Sequence, residues 1–252
     1  MTTALDTDVR PEDRFISAFE VNQGQALNGT NASIALEAWK YTNISKIIDR
    51  PYTLPLAPEP PSVAPSDIAS FLIDDLDAHR VVLVNGRVDE SLSDIGELPP
   101  GVVVSSLAQA GAEHPNVVEE HYGRYADAEN EALTALNTAF VQDGAFVYVP
   151  SGTIVEKPIF FLHVTAGQED LFLQPRHLFV VEDGAIARII ETQHSLTDAH
   201  TFTNTVGEAF VGERANLEHY LVQDEGPTAS QVHTRAGQQK DDSVYTTDTV
   251  TF

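Results

Sequence analysis

Six histidines in the second half of the chain have the side chains best suited to chemistry, because imidazole binds iron and zinc and exchanges protons near neutral pH. Their spacing includes no HxH or HxxxH pair and no histidine–carboxylate cluster with the usual ligand pattern. We therefore interpret them as structural or surface residues and predict no catalytic, cofactor-binding or metal-ligating residue in this chain. The six are His163, His177, His194, His200, His219 and His233.

Two of these histidines, His177 and His219, alternate with apolar neighbours along the sequence. Successive side chains of a strand point to opposite faces, so both rings would lie on the same face as the buried residues of their strands. A buried imidazole needs a hydrogen-bond partner. We therefore expect either ring to lie in the interior with its nitrogens hydrogen-bonded.

The segment from Gly144 to Gly152 resembles the second metal-binding motif of the cupins, with five residues between Gly144 and Pro150. The cupin pattern requires a histidine and an asparagine at positions where this sequence has Val155 and Ile159. A metal site needs its donor atoms. A cupin-like metal-dependent enzyme therefore remains only as an alternative function.

Adjacent acidic pairs could supply the acid and base of a glycosidase, as in carbohydrate-active β-helices. The pairs are Glu182 with Asp183 and Asp241 with Asp242. Neighbouring residues of a strand point to opposite faces, and both pairs stand beside Gly or Ser, so we interpret them as turn residues.

Other chemical signatures are weak or missing in this sequence. Trp39, Lys40 and Tyr41 could contact a ligand, but Trp39 is better explained as an apolar anchor for a helix. No GxxxxGK[ST], GxGxxG or nucleophile-elbow motif occurs. ATP hydrolysis would therefore require a partner.

Composition restricts the partners and the chemistry. The 252 residues include no cysteine, so this chain supplies no disulfide, thiolate nucleophile or cysteine ligand for a cluster. Fourteen basic and 38 acidic residues give a net charge of −24, with no basic cluster, so we predict no nucleic-acid partner. No apolar run reaches the roughly 20 residues of a membrane helix, and no secretory leader begins the chain. We expect a cytoplasmic protein without a membrane contact.

The sequence divides into four regions. We predict that residues 1–50 form a helical segment with a helix near 33–49, and that residues 51–79 form a Pro-rich linker with a short helix. Residues 80–142 form a small α+β region. There Asn85-Gly86 follows a β-branched run and predicts a hairpin, and helical spacing predicts helix over 115–141.

Residues 143–252 change to short β runs separated by turn residues. Their turns recur before Ala145, Ala185, Ala215 and Ser243, within the 20–50-residue window of stacked coils. A β-solenoid fits this pattern, and a sandwich with the same strand count fits it nearly as well. The runs are Phe146–Val149, Ile159–Leu162, Leu178–Val181, Ile186–Ile190, Leu217–Leu221 and Val244–Thr247.

Several ordered segments resemble the SufB/SufD family of the SUF iron–sulfur cluster assembly machinery, and its SufD members most closely. The matches run in order through nearly the whole chain. They are Glu37–Thr42, Asn137–Phe140, Asp143–Gly152, Lys157–Ile159, Arg176–Ala185 and Glu218–Gln223.

This resemblance implies a right-handed parallel β-helix, a β-solenoid, preceded by a helical N-terminal region. It implies a non-catalytic scaffold subunit that works with a SufB-like subunit and a SufC-like ATPase. The Fe–S cluster would be assembled transiently on that partner complex, with no cofactor bound by this chain alone. The absence of thiolates agrees with the SufD side of the family. A generic β-solenoid interaction module is the other alternative.

The chain departs from the family pattern at its end. Phe252 follows a predicted strand directly, whereas family members continue with more coils and a helical segment. We therefore expect a C-terminally truncated chain with an incomplete β-helix. The family's SufC-docking surface, most of its SufB contact and its cluster-site histidine belong to the missing part and transfer to no residue here.

Overall fold

The computed structural model describes residues 45–48, 50–55 and 61–252. The described chain is mainly β, with 45% strand and 16% helix, and winds into a β-solenoid of about 4 turns. The strands are β1 (His79–Val84), β2 (Arg87–Asp94), β3 (Val103–Ser106), β4 (Ala145–Val149), β5 (Ile159–Thr165), β6 (Leu171–Leu173), β7 (Arg176–Val181), β8 (Ile186–Ser195), β9 (Thr201–Val211), β10 (Asn216–Asp224), β11 (Ala229–Gln239) and β12 (Val244–Thr251). The helices are α1 (Ser45–Ile48), α2 (Pro65–Ile68), a 3-10 turn (Ala69–Phe71), α3 (Leu107–Glu113), α4 (Pro115–His121) and α5 (Ala132–Phe140).

Two sheets form the walls of the solenoid. The first has the strand order β12-β10-β8-β5-β1-β2, and the second has the order β11-β9-β7-β4-β3 with β6 beside β9. The pairs β5–β8, β8–β10 and β10–β12 are parallel, and so are β4–β7, β7–β9 and β9–β11. Only the pairs β1–β2 and β3–β4 are antiparallel among the described strands. The predicted parallel β-helix is therefore confirmed, and a sandwich is excluded.

A column of tight turns leads from the second sheet to the first in each coil. Gly152, Gly184, Arg214 and Asp242 occupy equivalent places in this column, and each has a left-handed φ between 56° and 71°. The turns bond to one another: the Gly152 N–H donates to the Asp183 carbonyl, and the Gly184 N–H donates to the Glu213 carbonyl, both at 2.8 Å. The turn before Ala145 is not part of this column. The prediction that this turn belongs to the repeat was therefore wrong.

The predicted hairpin at Asn85-Gly86 is confirmed, because β1 and β2 pair around two residues with φ of 52° and 79°. Helix over 115–141 was predicted too broadly, because residues 122–131 separate α4 from α5. The predicted helix near 33–49 lies outside the described residues except for α1. The four-region division stays a prediction, although β1 and β3 join the solenoid sheets across its boundary at 142.

Apolar side chains fill one part of the solenoid interior and cover both outer faces. The interior cluster contains Phe161, Phe179 and Ile189, each at most 1% exposed. Outside the first sheet, residues around α2 pack on the outward side chains of β1 and β5. Outside the second sheet, α3 and α4 cover β4 and β7, and α5 packs near β6 and β9. The first coils are therefore buried on both faces.

No helix among the described residues is long and apolar enough to span a bilayer.

Candidate functional site in the solenoid interior

The solenoid interior changes from apolar to polar along each strand. On β8, Ala187, Ile189 and Glu191 share the inward face because they are spaced by two residues. Parallel register places Glu191 beside Phe161 of β5 and Leu221 of β10. A carboxylate with no exposed surface therefore stands at the end of an aliphatic and aromatic core.

Histidines from three other strands surround this carboxylate. His163 Nε2 on β5 lies 2.7 Å from Glu191 Oε2, and His219 Nε2 on β10 lies 2.5 Å from Oε1. His177 Nε2 on β7, in the opposite sheet, lies 3.6 Å from Oε2. We name His163, His177, Glu191, His219 and the nearby His233 the Glu191 centre.

The tautomer of His177 is fixed by the backbone. The Ala145 N–H donates to His177 Nδ1 at 2.9 Å, so Nδ1 has no proton. Complete burial lowers the pKa of His177 to about 3, so the ring is neutral and its single proton is on Nε2. That proton faces Glu191 Oε2 but lies beyond ordinary hydrogen-bond length, and Nε2 has no other partner. His177 is therefore a buried donor whose bond is incomplete.

The other two rings of the centre differ in their partners. His219 Nδ1 lies 3.2 Å from the Tyr245 hydroxyl, so both of its nitrogens are hydrogen-bonded. His233 on β11 has both ring nitrogens shielded from solvent and without a partner, although other atoms of the residue are exposed. Burial lowers the pKa of His233 to about 3. The prediction of an interior ring is confirmed for both His177 and His219, but His219 has both nitrogens hydrogen-bonded and His177 is bonded through Nδ1 alone.

Electrostatics keep the central carboxylate ionised. Burial by itself opposes the charge on Glu191, but His177 beside it and the bonds from His163 and His219 outweigh burial and hold its pKa well below 4.5. The centre is therefore an anion held among imidazoles. Only the His163 side chain within the bonded set has noticeable exposure, at 12%.

The donor atoms are close enough for joint ligation of a cation. His163, His177 and Glu191 each place one ligand atom within 4.8 Å of the other two. Two imidazoles and one carboxylate form the donor set that non-haem ferrous sites use. These residues are scattered in the sequence, and the fold brings them together from positions 14 residues or more apart. That the chain has no metal ligand stays a prediction. The close grouping of these three donor atoms argues against it.

The remaining sites considered in the sequence lie elsewhere. His194 stacks on Phe71 with 4.3 Å between ring centroids, and His200 precedes β9, where its N–H bonds to Asp170. Val155 and Ile159 belong to the apolar core, and the parallel solenoid is not the closed barrel of a cupin. Both acidic pairs stand in the turn column: the Asp183 side chain accepts the Glu213 N–H at 2.7 Å, and Asp242 has a left-handed φ. Trp39 and its neighbours lie outside the described residues.

Comparison with known families covers nearly the whole chain. Residues 21–161 match the SufBD protein N-terminal region, and residues 163–252 match the SufBD core domain of the SUF FeS cluster assembly system. The chain belongs to the SufBD family. The junction between the two matched regions falls within β5, one residue before His163.

Individual SufBD relatives agree with this assignment. The chain is 27% identical over 218 residues to an iron–sulfur cluster assembly SufBD family protein of Synechocystis, covering 83% of this chain and 47% of the relative. It is 28% identical to the iron–sulfur cluster assembly protein SufD of Escherichia coli and 27% identical to that of Bacillus subtilis. These matches cover 76% and 73% of this chain, and 42% of each relative. The chain thus spans less than half the length of these relatives.

Glu191 is the member of the SufBD chain's interior site that sequence reasoning missed. A signal for it existed: the segment Ile186–Ser195 alternates so that Glu191 shares its face with Ala187 and Ile189. A carboxylate in line with core residues must be paired when it is buried. The partners on β5, β7 and β10 were not visible, because only the register between coils identifies them.

Proposed function

We propose that this SufBD chain is a non-catalytic scaffold subunit of iron–sulfur cluster assembly. The match of both family regions, over residues 21–161 and 163–252, carries this proposal. Relatives named SufD in two bacteria support the SufD side of the family. A solenoid with a largely close-packed interior provides a rigid frame for such a role.

The chemistry of the chain agrees with dependence on partners. With no cysteine, this chain offers no thiolate for a cluster, so a SufB-like subunit would supply the sulfur ligands. With no phosphate-binding loop, it relies on a SufC-like subunit for ATP hydrolysis. The cluster would form on the assembled complex, and we place that complex in the cytoplasm, where partner thiolates stay reduced.

Co-expression with the SufB-like and SufC-like subunits of the same organism tests the proposal. We expect the full gene product that contains these 252 residues to co-purify with them through size exclusion, and we expect ATPase activity to require the SufC-like subunit. The Gly111→Ala variant should behave in the same way, because a Cβ at Gly111 meets no atom within 4 Å. Gly144→Val should lose the complex, because its Cβ would overlap the Arg176 carbonyl.

Two outcomes would contradict the proposal. The first is a partner complex that forms while excluding the folded chain, which would favour a generic interaction module. The second is ATP hydrolysis by the purified chain alone, because a scaffold has no such activity.

A further inference from the structure

The Glu191 centre has unused binding capacity in its interior. His177 Nε2 belongs to a ring with no exposed surface, is aimed at Glu191 and lacks a hydrogen-bond partner. Both nitrogens of His233 are also shielded and unpaired. Buried polar atoms without partners are uncommon in folded proteins, and an unpaired ring nitrogen 3.6 Å from a buried carboxylate oxygen indicates a ligand between them.

We propose that the Glu191 centre binds one ferrous ion through His163 Nε2, His177 Nε2 and Glu191 Oε2. These three atoms lie within 4.8 Å of one another, so modest side-chain movement brings them into contact with a single ion. The site itself follows from the donor geometry. The choice of ferrous iron as cargo rests on the proposed function.

Contacts around the three donors suit an ion site. His219 bonds to the other carboxylate oxygen, Oε1, at 2.5 Å, and is itself in contact with the Tyr245 hydroxyl. Such outer contacts fix the orientation of a ligating carboxylate. His219 is therefore a positioning residue, and Glu191 would present Oε2 to the ion while Oε1 stays bonded.

Access to the centre is from the side of His163, whose ring is 12% exposed while Glu191 is fully buried. Glu225 contacts the same strand as His163, with Oε1 accepting from the Thr165 hydroxyl at 3.2 Å and Oε2 shielded and unpaired.

Ion binding requires a proton to move within the His177 ring. Its Nδ1 accepts the Ala145 N–H, so its proton is on Nε2 and must move to Nδ1 before Nε2 can contact an ion. At His177, the new Nδ1–H faces the Ala145 N–H, which then loses its acceptor. This lost bond opposes binding and makes the ion exchangeable, as a cargo for cluster assembly must be.

Anaerobic equilibrium dialysis against Fe²⁺ tests the site in the purified chain. We expect about one ion per chain for the unmodified protein, from the single set of donors. The His163→Gln and Glu191→Gln variants remove ligands, and His219→Gln removes the positioning contact. Loss of an outer contact typically costs about 10- to 100-fold in metal affinity, and loss of a ligand at least as much. His200→Gln is the matched control, because His200 lies outside the centre, and it should leave the affinity unchanged.

Ring nitrogen NMR of the unmodified chain keeps the proposal testable if a variant fails to fold. With Zn²⁺ as a diamagnetic probe, the ring nitrogen signals of His163 and His177 should shift, the His177 ring should change tautomer, and the Ala145 amide signal should shift. The proposal is overturned if the chain retains no Fe²⁺, if Glu191→Gln and His163→Gln bind as tightly as the unmodified protein, or if Zn²⁺ leaves the ring signals unchanged.

These results separate the ion site from the scaffold role. A chain that co-purifies with its partners but retains no Fe²⁺ disproves the site and leaves the scaffold intact. A chain that binds Zn²⁺ and Fe²⁺ at these donors but joins no partner complex keeps the site and disproves the scaffold.

Discussion

Arg176 and Glu208 form a buried ion pair that fastens the helical region to the solenoid. Arg176 Nη2 lies 2.6 Å from Glu208 Oε2, and the two side chains are 1% and 0% exposed. Glu208 also accepts the backbone N–H groups of Gly123, Tyr125 and Ala126 at 2.8 to 3.0 Å. One carboxylate on β9 thus holds both β7 and the loop that follows α4.

Arg176→Met should be strongly destabilising, because it leaves the Glu208 charge buried and without its counterion. We expect a loss of about 3–5 kcal/mol in the free energy of unfolding, measured by urea denaturation. Arg188→Met is the control: Arg188 pairs with Glu218 at 2.6 Å but is 47% exposed, and exposed pairs contribute about 0–1 kcal/mol. Equal losses in the two variants would show that the buried pair does not fasten the helical region.

Gly144 is required by a close approach of two backbones. A Cβ at this position would lie 1.7 Å from the Arg176 carbonyl oxygen, so the Gly144→Ala variant must displace main chain between β4 and β7. We expect a loss of about 3 kcal/mol or more in the free energy of unfolding.

Gly111→Ala is the matched control for this substitution. Gly111 lies within α3 with no atom near its missing Cβ, so alanine should stabilise the chain by about 0.5–1 kcal/mol. Thermal melting of both variants gives the comparison. A Gly144→Ala variant with the same melting temperature as the unmodified protein would contradict the close packing of β4 and β7.

Polarity decided which strands the sequence could predict. The six predicted runs each fall within a strand of the solenoid, because they are rich in the β-branched and aromatic residues that favour strands. Strands β9 and β11 were missed, since polar residues such as Asn204 and Gln231 interrupt their apolar pattern. Their pairing with neighbouring coils, which is a long-range contact, compensates for weak local preference.

Asn137 connects α5 to two coils and offers a further test. Its side-chain amide donates to the Pro175 carbonyl at 2.8 Å and to the Asn204 carbonyl at 2.9 Å, with no part of the residue exposed. Asn137→Leu removes both of these bonds, although the Pro175 carbonyl keeps the Val206 N–H at 3.1 Å, so we expect a loss of about 1–3 kcal/mol in the free energy of unfolding.

The Thr138→Val variant is the control for Asn137. Thr138 is on the same helix and its hydroxyl bonds to the Thr134 carbonyl within that helix. The Thr138 hydroxyl also accepts a hydrogen bond from Arg176 at 3.1 Å. We therefore expect Thr138→Val to lower the free energy of unfolding by about 1 kcal/mol, less than Asn137→Leu. Urea denaturation in which Thr138→Val costs more than Asn137→Leu would contradict the bridging role of Asn137.

Acid should destabilise the fold through the Glu191 centre. The folded pKa of His177 and of His233 is about 3, whereas an unfolded histidine titrates near 6.5. Between pH 6.5 and 3 the unfolded chain therefore binds more protons, so stability falls as the pH decreases. Glu191 acts in the same direction below about pH 4.5, because its folded pKa lies well below that of an unfolded glutamate.

His233→Leu should make this acid dependence shallower. The substitution removes one buried base. The slope of the free energy of unfolding against pH should therefore decrease by up to about 1.4 kcal/mol per pH unit between pH 6 and 4. The substitution also removes two unpaired ring nitrogens, so stability at pH 7 should be equal or higher. Urea denaturation at pH 7, 6, 5 and 4, compared with the unmodified chain and with His200→Gln, isolates this contribution, because Glu225 and the other acids are common to all three. The prediction is contradicted if the free energy of unfolding depends on pH in the same way for His233→Leu and the unmodified chain. That result would mean that His233 takes up its proton in the folded chain as readily as in the unfolded chain.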